Sequence, residues 1–198
     1  RICNWIKWAL SGNELSRNAI NSLAVQTRYL MKTLEFHLLG NHLFANAKAL
    51  IFAGRFFEGD EADKWLKKGL AILKKQIPEQ FNTGIHFELS PTYHTLLLED
   101  LLDLHNLLQV TPYNISTLGP PLEYILEITQ NITRPDGLMP LFNDAAYGVT
   151  PITSEILEYA ARLKILPYCS PSLGMQDFTN SGYFKYIIYR TRVFTIKI

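Results

Sequence analysis

The sequence predicts a mainly α-helical fold. Successive antiparallel helical hairpins should be layered into a ring or arc, and an antiparallel β-domain should begin at the C-terminal end. Three observations predict it. Apolar residues recur at three- and four-residue spacing in segment after segment. Gly and Pro punctuate those segments at short intervals, which suits hairpins. After Pro167 the pattern changes to β-branched and aromatic runs. On this basis the helical domain is placed at residues 1–170 and the start of a β-domain at 171–198.

Each element has its own justification. Residues 1–12 carry Trp5 and Trp8 on a short amphipathic helix, which Ser11-Gly12-Asn13 should break. A long helix is expected over 14–38, with a stripe of Ile20, Leu23, Thr27, Leu30, Leu34 and Leu38. Gly40 punctuates. The next helix is expected over 41–53 and should end at Gly54. Asp60 suits the cap of a third helix carrying Trp65, Leu66, Leu70 and Leu73, broken by Pro78. Its lysines, Lys64, Lys67, Lys68, Lys74 and Lys75, read as a solvated face. Residues 81–89 read as a loop. Ser90-Pro91 then starts a fourth helix, with Ser as N-cap and Pro at the first helical position. Further helices are expected over 121–132 and 151–165, with a turn at Arg134-Pro135-Asp136-Gly137 between them. Strands are expected over 183–190 and 192–198. One hairpin cannot bury both its faces, so these strands must belong to something larger or pack on the helices.

Composition narrows the function. Hydrophobic residues make up 47% and charged residues 19%, a globular balance. A net charge of +1 supplies no basic field for nucleic acid. Lys48 and Arg55 interrupt the longest apolar candidate for a membrane span. Cys3 and Cys169 read as free thiols. The five histidines and nearby acids have no compact metal-ligand spacing, so neither metal nor cofactor is expected. No signal peptide is visible, and the first residue is Arg1.

Two stretches concentrate polar chemistry. One is Gly40-Asn41-His42-Leu43-Phe44-Ala45-Asn46; the other is His86-Phe87-Glu88-Leu89-Ser90-Pro91-Thr92-Tyr93-His94. They are expected to face each other across a sugar-binding cleft. Blander readings compete at every position. Asn41 suits a helix cap, and His42 a half-buried structural histidine. Tyr93 suits a core aromatic. His94 either lines the cleft or supports it. His86 and Glu88 flank the loop as sugar contacts, Glu88 equally as a loop support. Asn46 borders the small, polar face of its helix. Asn143 and Asp144 suit a turn.

These residues together resemble the heparinase II/III-like polysaccharide lyase family. The resemblance rests on 40–50 with Gly54-Arg55-Phe56-Phe57, on 86–94, and on Leu98-Glu99-Asp100-Leu101-Leu102-Asp103-Leu104. It extends to Asp136-Gly137, Pro140-Leu141-Phe142-Asn143-Asp144-Ala145 and Ser181-Gly182-Tyr183. It implies an incomplete α/α toroid followed by an antiparallel β-sandwich, here cut short. It implies β-elimination on a uronate-containing acidic polysaccharide, and a periplasmic or cell-envelope location. Asn41 would bind the uronate carboxylate, Tyr93 would act as base or acid, and His42 would be a second proton handler or a binding residue. His94, Glu88, His86, Asn46 and Asn143 would contact substrate. A histidine of the downstream β-sandwich would complete the site.

The chemistry suits these residue types. The proton next to a uronate carboxylate is poorly acidic, and a neutral amide donor stabilises the enolate-like intermediate. A tyrosine can take one proton and deliver another, but its ordinary pKa of about 10 is high for a base. A helix N-terminus favours the phenolate by only roughly 0.3–1 kcal/mol. An imidazole, His42 or His94, is therefore expected to supply the rest. Two other classes fit the sequence. One is an α/α-toroid glycoside hydrolase using Glu88 and Asp144; the other is a non-catalytic glycan-binding or surface-polysaccharide assembly protein.

Overall fold

The computed structural model describes residues 1–38, 40–81 and 83–170, and the backbone of 174–178, 184–189 and 192–197. The helical part matches the expected class. Helices α1 (Ile2–Leu10), α2 (Arg17–Lys32), α3 (His42–Phe56), α4 (Asp60–Gln80), α5 (Pro91–Leu108), α6 (Leu122–Ile132) and α7 (Thr153–Arg162) follow one another, with a 3-10 turn at Ile115–Thr117. Backbone segments β1 (Gly174–Phe178), β2 (Phe184–Tyr189) and β3 (Arg192–Lys197) pair antiparallel in the order β1-β2-β3. The expected Ser181-Gly182-Tyr183 boundary lies outside the described residues. The chain divides into two compact units, Arg1–Gln76 and Ile77–Ile198, so the division falls within α4.

In the first unit, α1, α2 and α3 pack on one another. Ile2, Ile6, Leu23, Phe44, Ala47, Leu50 and Ile51 are buried. The helix expected over 14–38 stops at Lys32. The reason lies in a side chain of the next helix. The Glu35 N–H, which a continuing helix would direct to a carbonyl four residues back, instead donates to Asn46 Oδ1 at 3.0 Å. Asp60 is the first helical residue of α4, not its cap, and Glu61 and Asp63 join it in the first turn, where carboxylates oppose the positive helix end. Pro78 does not break α4. It lies inside the last turn, and Phe81 N–H still reaches Ile77 O at 3.0 Å. The lost hydrogen bond is offset by burial of Leu73, Ile77 and Phe81 along one face.

Gly69 lets α4 lie close to α3. A Cβ there would sit 2.6 Å from Ile51 Cγ1 and 2.8 Å from the Ala47 carbonyl oxygen. Alanine gains roughly 0.8–1.0 kcal/mol of helix propensity over glycine. Overpacking costs about 1–3 kcal/mol, and a backbone oxygen yields little. Gly69→Ala should therefore lower stability by about 1–2 kcal/mol in urea unfolding. A stabilised Gly69→Ala protein would contradict the close approach.

In the second unit, α5 packs on α6, α7 and the 3-10 turn. Leu97, Leu98, Leu101, Leu102, Leu104, Ile125 and Leu126 are buried. Ile85, Ile128 and Ile132 form a smaller cluster against which Leu89, Met139 and Phe142 pack, so the 86–90 and 139–147 loops rest on a common floor. Gly84 has φ +82°, and a Cβ there would meet the Tyr124 ring at 2.5 Å. Glu155 accepts from the Ile152 N–H at 3.1 Å, one half of a capping box at the start of α7. Cys3 and Cys169 are thiols. No helix among the described residues is long and apolar enough to cross a membrane.

Candidate functional site

The two polar stretches fall in different units, and each has its own geometry. In the first, Asn41 sits at the N-cap of α3 in helical conformation, φ −78° and ψ −6°. Its carbonyl accepts the first helical bond from Ala45, but its side chain makes no capping bond. The amide is thus not used to cap its own helix. His42 is exposed, with Nδ1 3.8 Å from Glu35 Oε2. Asn46 is buried, and both ends of its amide are engaged: Oδ1 accepts from Glu35 N–H and Nδ2 donates to Glu35 Oε2 at 2.8 Å. Asn46 therefore holds the turn ahead of α3. Glu35, which the sequence did not single out, is the hub that ties Asn46 and His42 together.

The second stretch is built around two histidines. His86 and His94 are 0% and 1% exposed. Phe81 packs edge-on against both rings, at 5.8 and 5.7 Å. His94 Nδ1 faces the His86 backbone N–H at 3.3 Å and accepts from it. Its Nε2 lies 2.9 Å from Thr129 Oγ1, and that hydroxyl donates to Ile125 O at 2.7 Å. The Thr129 proton being taken, His94 Nε2 is the donor, so the ring is a neutral Nε2–H tautomer. Burial, with the neighbouring His86 adding to it, pushes the His94 pKa down to about 3.

His94 is therefore a support rather than a sugar ligand. Nor can it be the cation expected to favour a phenolate, because it is neutral at any physiological pH. His86 is in the same state. Its Nε2 donates to Gln80 Oε1 at 2.6 Å, and burial lowers its pKa to about 4 despite the opposing pull of Asp144. His86 Nδ1 is buried without a hydrogen-bond partner. With no exposed surface, His86 also offers nothing to a sugar hydroxyl.

Tyr93 lies in the first turn of α5, half-buried, with its ring stacked on His86. The centroids are 6.2 Å apart and the planes 28° from parallel. Ser90 occupies the N-cap position, but its hydroxyl makes no capping bond and is buried without a partner. The expected Ser90 cap is thus absent as a side-chain bond.

The 139–147 loop is latched onto this helix start. Asn143 Nδ2 donates to Glu88 O at 3.0 Å and Leu89 O at 3.1 Å. The Ala146 N–H donates to Thr92 Oγ1 at 2.9 Å. Leu89 has φ +57° and Asn143 φ +52°, left-handed conformations that are strained for leucine and tolerated by asparagine. Both Nδ2 protons of Asn143 serve the latch. Glu88 is half-buried and Asp144 exposed. Gln80, Thr92 and Thr129 were not found from sequence. Thr129 lies 35 residues from His94, beyond any local periodicity. No cluster of metal-ligating side chains occurs among the described residues.

In fold, the chain is similar to the crystal structure of heparinase III, with a TM-score of 0.71 at 19% identity over 94% of this chain and 34% of that one. It is also similar to heparan sulfate lyase HepC from Pedobacter heparinus, with a TM-score of 0.59 at 23% identity over 85% and 29%. The helical hairpins thus define the class: the α-helical part of a heparinase-type fold. Residues 10–167 match the model of the Heparinase II/III N-terminus, and the chain belongs to that family. Among curated proteins, a heparin-sulfate lyase of Bacteroides stercoris is 33% identical over 114 residues, 54% of this chain and 17% of that protein. A heparin-sulfate lyase of Pedobacter heparinus is 27% identical over 155 residues, 75% and 23% respectively. The chain therefore spans about a fifth of these relatives' length.

Proposed function

We propose that this chain is the helical portion of a polysaccharide lyase that cleaves a uronate-containing acidic glycan by β-elimination. The observation that carries the reading is the family match over 10–167, together with relatives named heparin-sulfate lyases. In this reading the paired segments from Gly174 onward begin the β-sandwich that follows the helical domain at residue 171, and the protein works in the periplasm or cell envelope.

The roles follow from the chemistry. Asn41 donates its amide to the uronate carboxylate and stabilises charge as the adjacent C–H breaks. Tyr93 takes that proton. The electron pair forms the carbon–carbon double bond, the glycosidic C–O bond breaks, and the departing oxygen receives a proton from Tyr93. His42 serves as a second proton handler or as a binding residue. Glu88 and Asn143 contact the sugar, and the buried polar residues around them hold the loops.

The test is turnover by the full-length protein on a panel of uronate polysaccharides, heparan sulfate included. Unsaturated sugar ends should appear, and Asn41→Ala should abolish them. Saturated reducing ends would instead indicate hydrolysis. Binding without turnover, surviving both Asn41→Ala and Tyr93→Phe, would indicate a glycan-binding or assembly protein.

A further inference from the structure

Resting on the reading of Tyr93 as the proton carrier, we propose that His86 is its positioning residue: a buried imidazole that never touches substrate and sets the plane of the Tyr93 ring by stacking beneath it. Four observations carry this. The two rings stack at 6.2 Å and 28°. His86 has no exposed surface, so it can reach substrate only through Tyr93. Its ring is held at three points: Gln80 Oε1 at 2.6 Å on Nε2, Phe81 edge-on at 5.8 Å, and Phe87 at 4.9 Å. Its backbone is held by His94, which Thr129 anchors in turn to α6.

This assembly explains why a histidine occupies the position although nothing takes up its Nδ1. A buried Nδ1 lone pair with no donor costs free energy, which a phenylalanine would not incur. What histidine supplies is a flat ring tethered at one edge by Gln80. A phenylalanine has the ring without the tether, and a glutamine has the tether without the ring. Proton transfer between Tyr93 and a sugar carbon needs the hydroxyl held in line, and a displacement of about 1 Å can cost on the order of 100-fold in rate.

The experiment compares the full-length protein with His86→Phe, His86→Gln, Tyr93→Phe and the His86→Gln/Tyr93→Phe double variant, measuring kcat and KM for unsaturated-end formation. His86→Gln should lower kcat at least about tenfold with KM changed less than about threefold, because the hydroxyl is misplaced while the sugar contacts remain. His86→Phe keeps the stacked ring and loses only the Gln80 tether, so its kcat should fall by less than that of His86→Gln. The double variant should be no slower than Tyr93→Phe alone, because His86 acts only through the tyrosine. Equal losses in His86→Phe and His86→Gln, or multiplying effects in the double variant, would overturn the proposal. If His86→Gln does not fold, His86→Phe decides alone: a folded protein with kcat down tenfold overturns it. If neither variant folds, the crystal structure of the parent with bound oligosaccharide decides, the rings staying stacked or Tyr93 having turned away. Full activity in Tyr93→Phe sinks the underlying reading itself. A dead Tyr93→Phe beside an unaffected His86→Gln sinks only the positioning role.

Discussion

Tyr93→Phe should lower kcat on a uronate glycan by about 10²–10⁴-fold, the usual range for a lost proton-transfer group, with KM nearly unchanged. The substitution removes one oxygen and leaves the ring on His86, so the packing of that ring stays. Tyr93 is half-buried in the first turn of α5, and Pro91 and the Ser90 carbonyl, which accepts from the His94 N–H at 2.9 Å, hold the backbone there. Thermal unfolding should therefore move by no more than the loss of one hydroxyl allows, about 1 kcal/mol. Steady-state kinetics and a melting curve on the same preparation separate the two effects. A Tyr93→Phe protein that turns over within threefold of the parent would remove Tyr93 from the chemistry.

The second large effect is acid lability. His86 and His94 are held neutral, with pKa values of about 4 and about 3, against an ordinary value of about 6.5 in an unfolded chain. Both folded values lie below the unfolded one, so at intermediate pH the unfolded state binds more protons. Stability then rises with pH. It is fully present above about pH 6.5 and is lost as pH falls toward the folded values. At pH 5 each histidine costs about 2 kcal/mol relative to pH 7, about 4 kcal/mol together. His105, partly buried and also lowered, acts in the same direction. Urea unfolding at pH 7 and pH 5 reads this directly. His94→Asn keeps an acceptor near the His86 N–H and loses the bond to Thr129, so it should be less stable at pH 7. It should also lose only about half as much between the two pH values. A parent protein equally stable at both would show that these rings are not held neutral.

Much of the helical fold was legible from periodicity, because amphipathic stripes report burial directly. The start of α5 at Pro91 is an example, since Ser90-Pro91 restricts the backbone locally. The end of α2 was not legible. It depends on Asn46, eleven residues from Glu35, taking an N–H that local propensity assigns to the helix. Pro78 misled for the opposite reason: tertiary burial of Ile77 and Phe81 overrode a local breaker.

The site divides in the same way. Residue types and the family resemblance identified the two stretches, but type alone cannot tell a ligand from a support. His86, His94 and Asn46 carry the right chemistry for sugar binding. They are instead enclosed by partners at Gln80, Thr129 and Glu35 that no spacing rule connects to them. Asn143 sits between these cases, with a turn conformation and a donor group both serving the loop latch. Asn41, His42, Glu88, Asn143 and Tyr93 are the residues that the proposed reaction places against the glycan.

The central claim is that a proton leaves the carbon beside the uronate carboxylate. It is tested most directly with a glycan deuterated at that carbon, digested by the full-length protein and followed by mass spectrometry. One deuterium should be lost for each bond cleaved, and cleavage should slow relative to the undeuterated glycan when this step limits the rate. Cleavage products that retain the deuterium would contradict it.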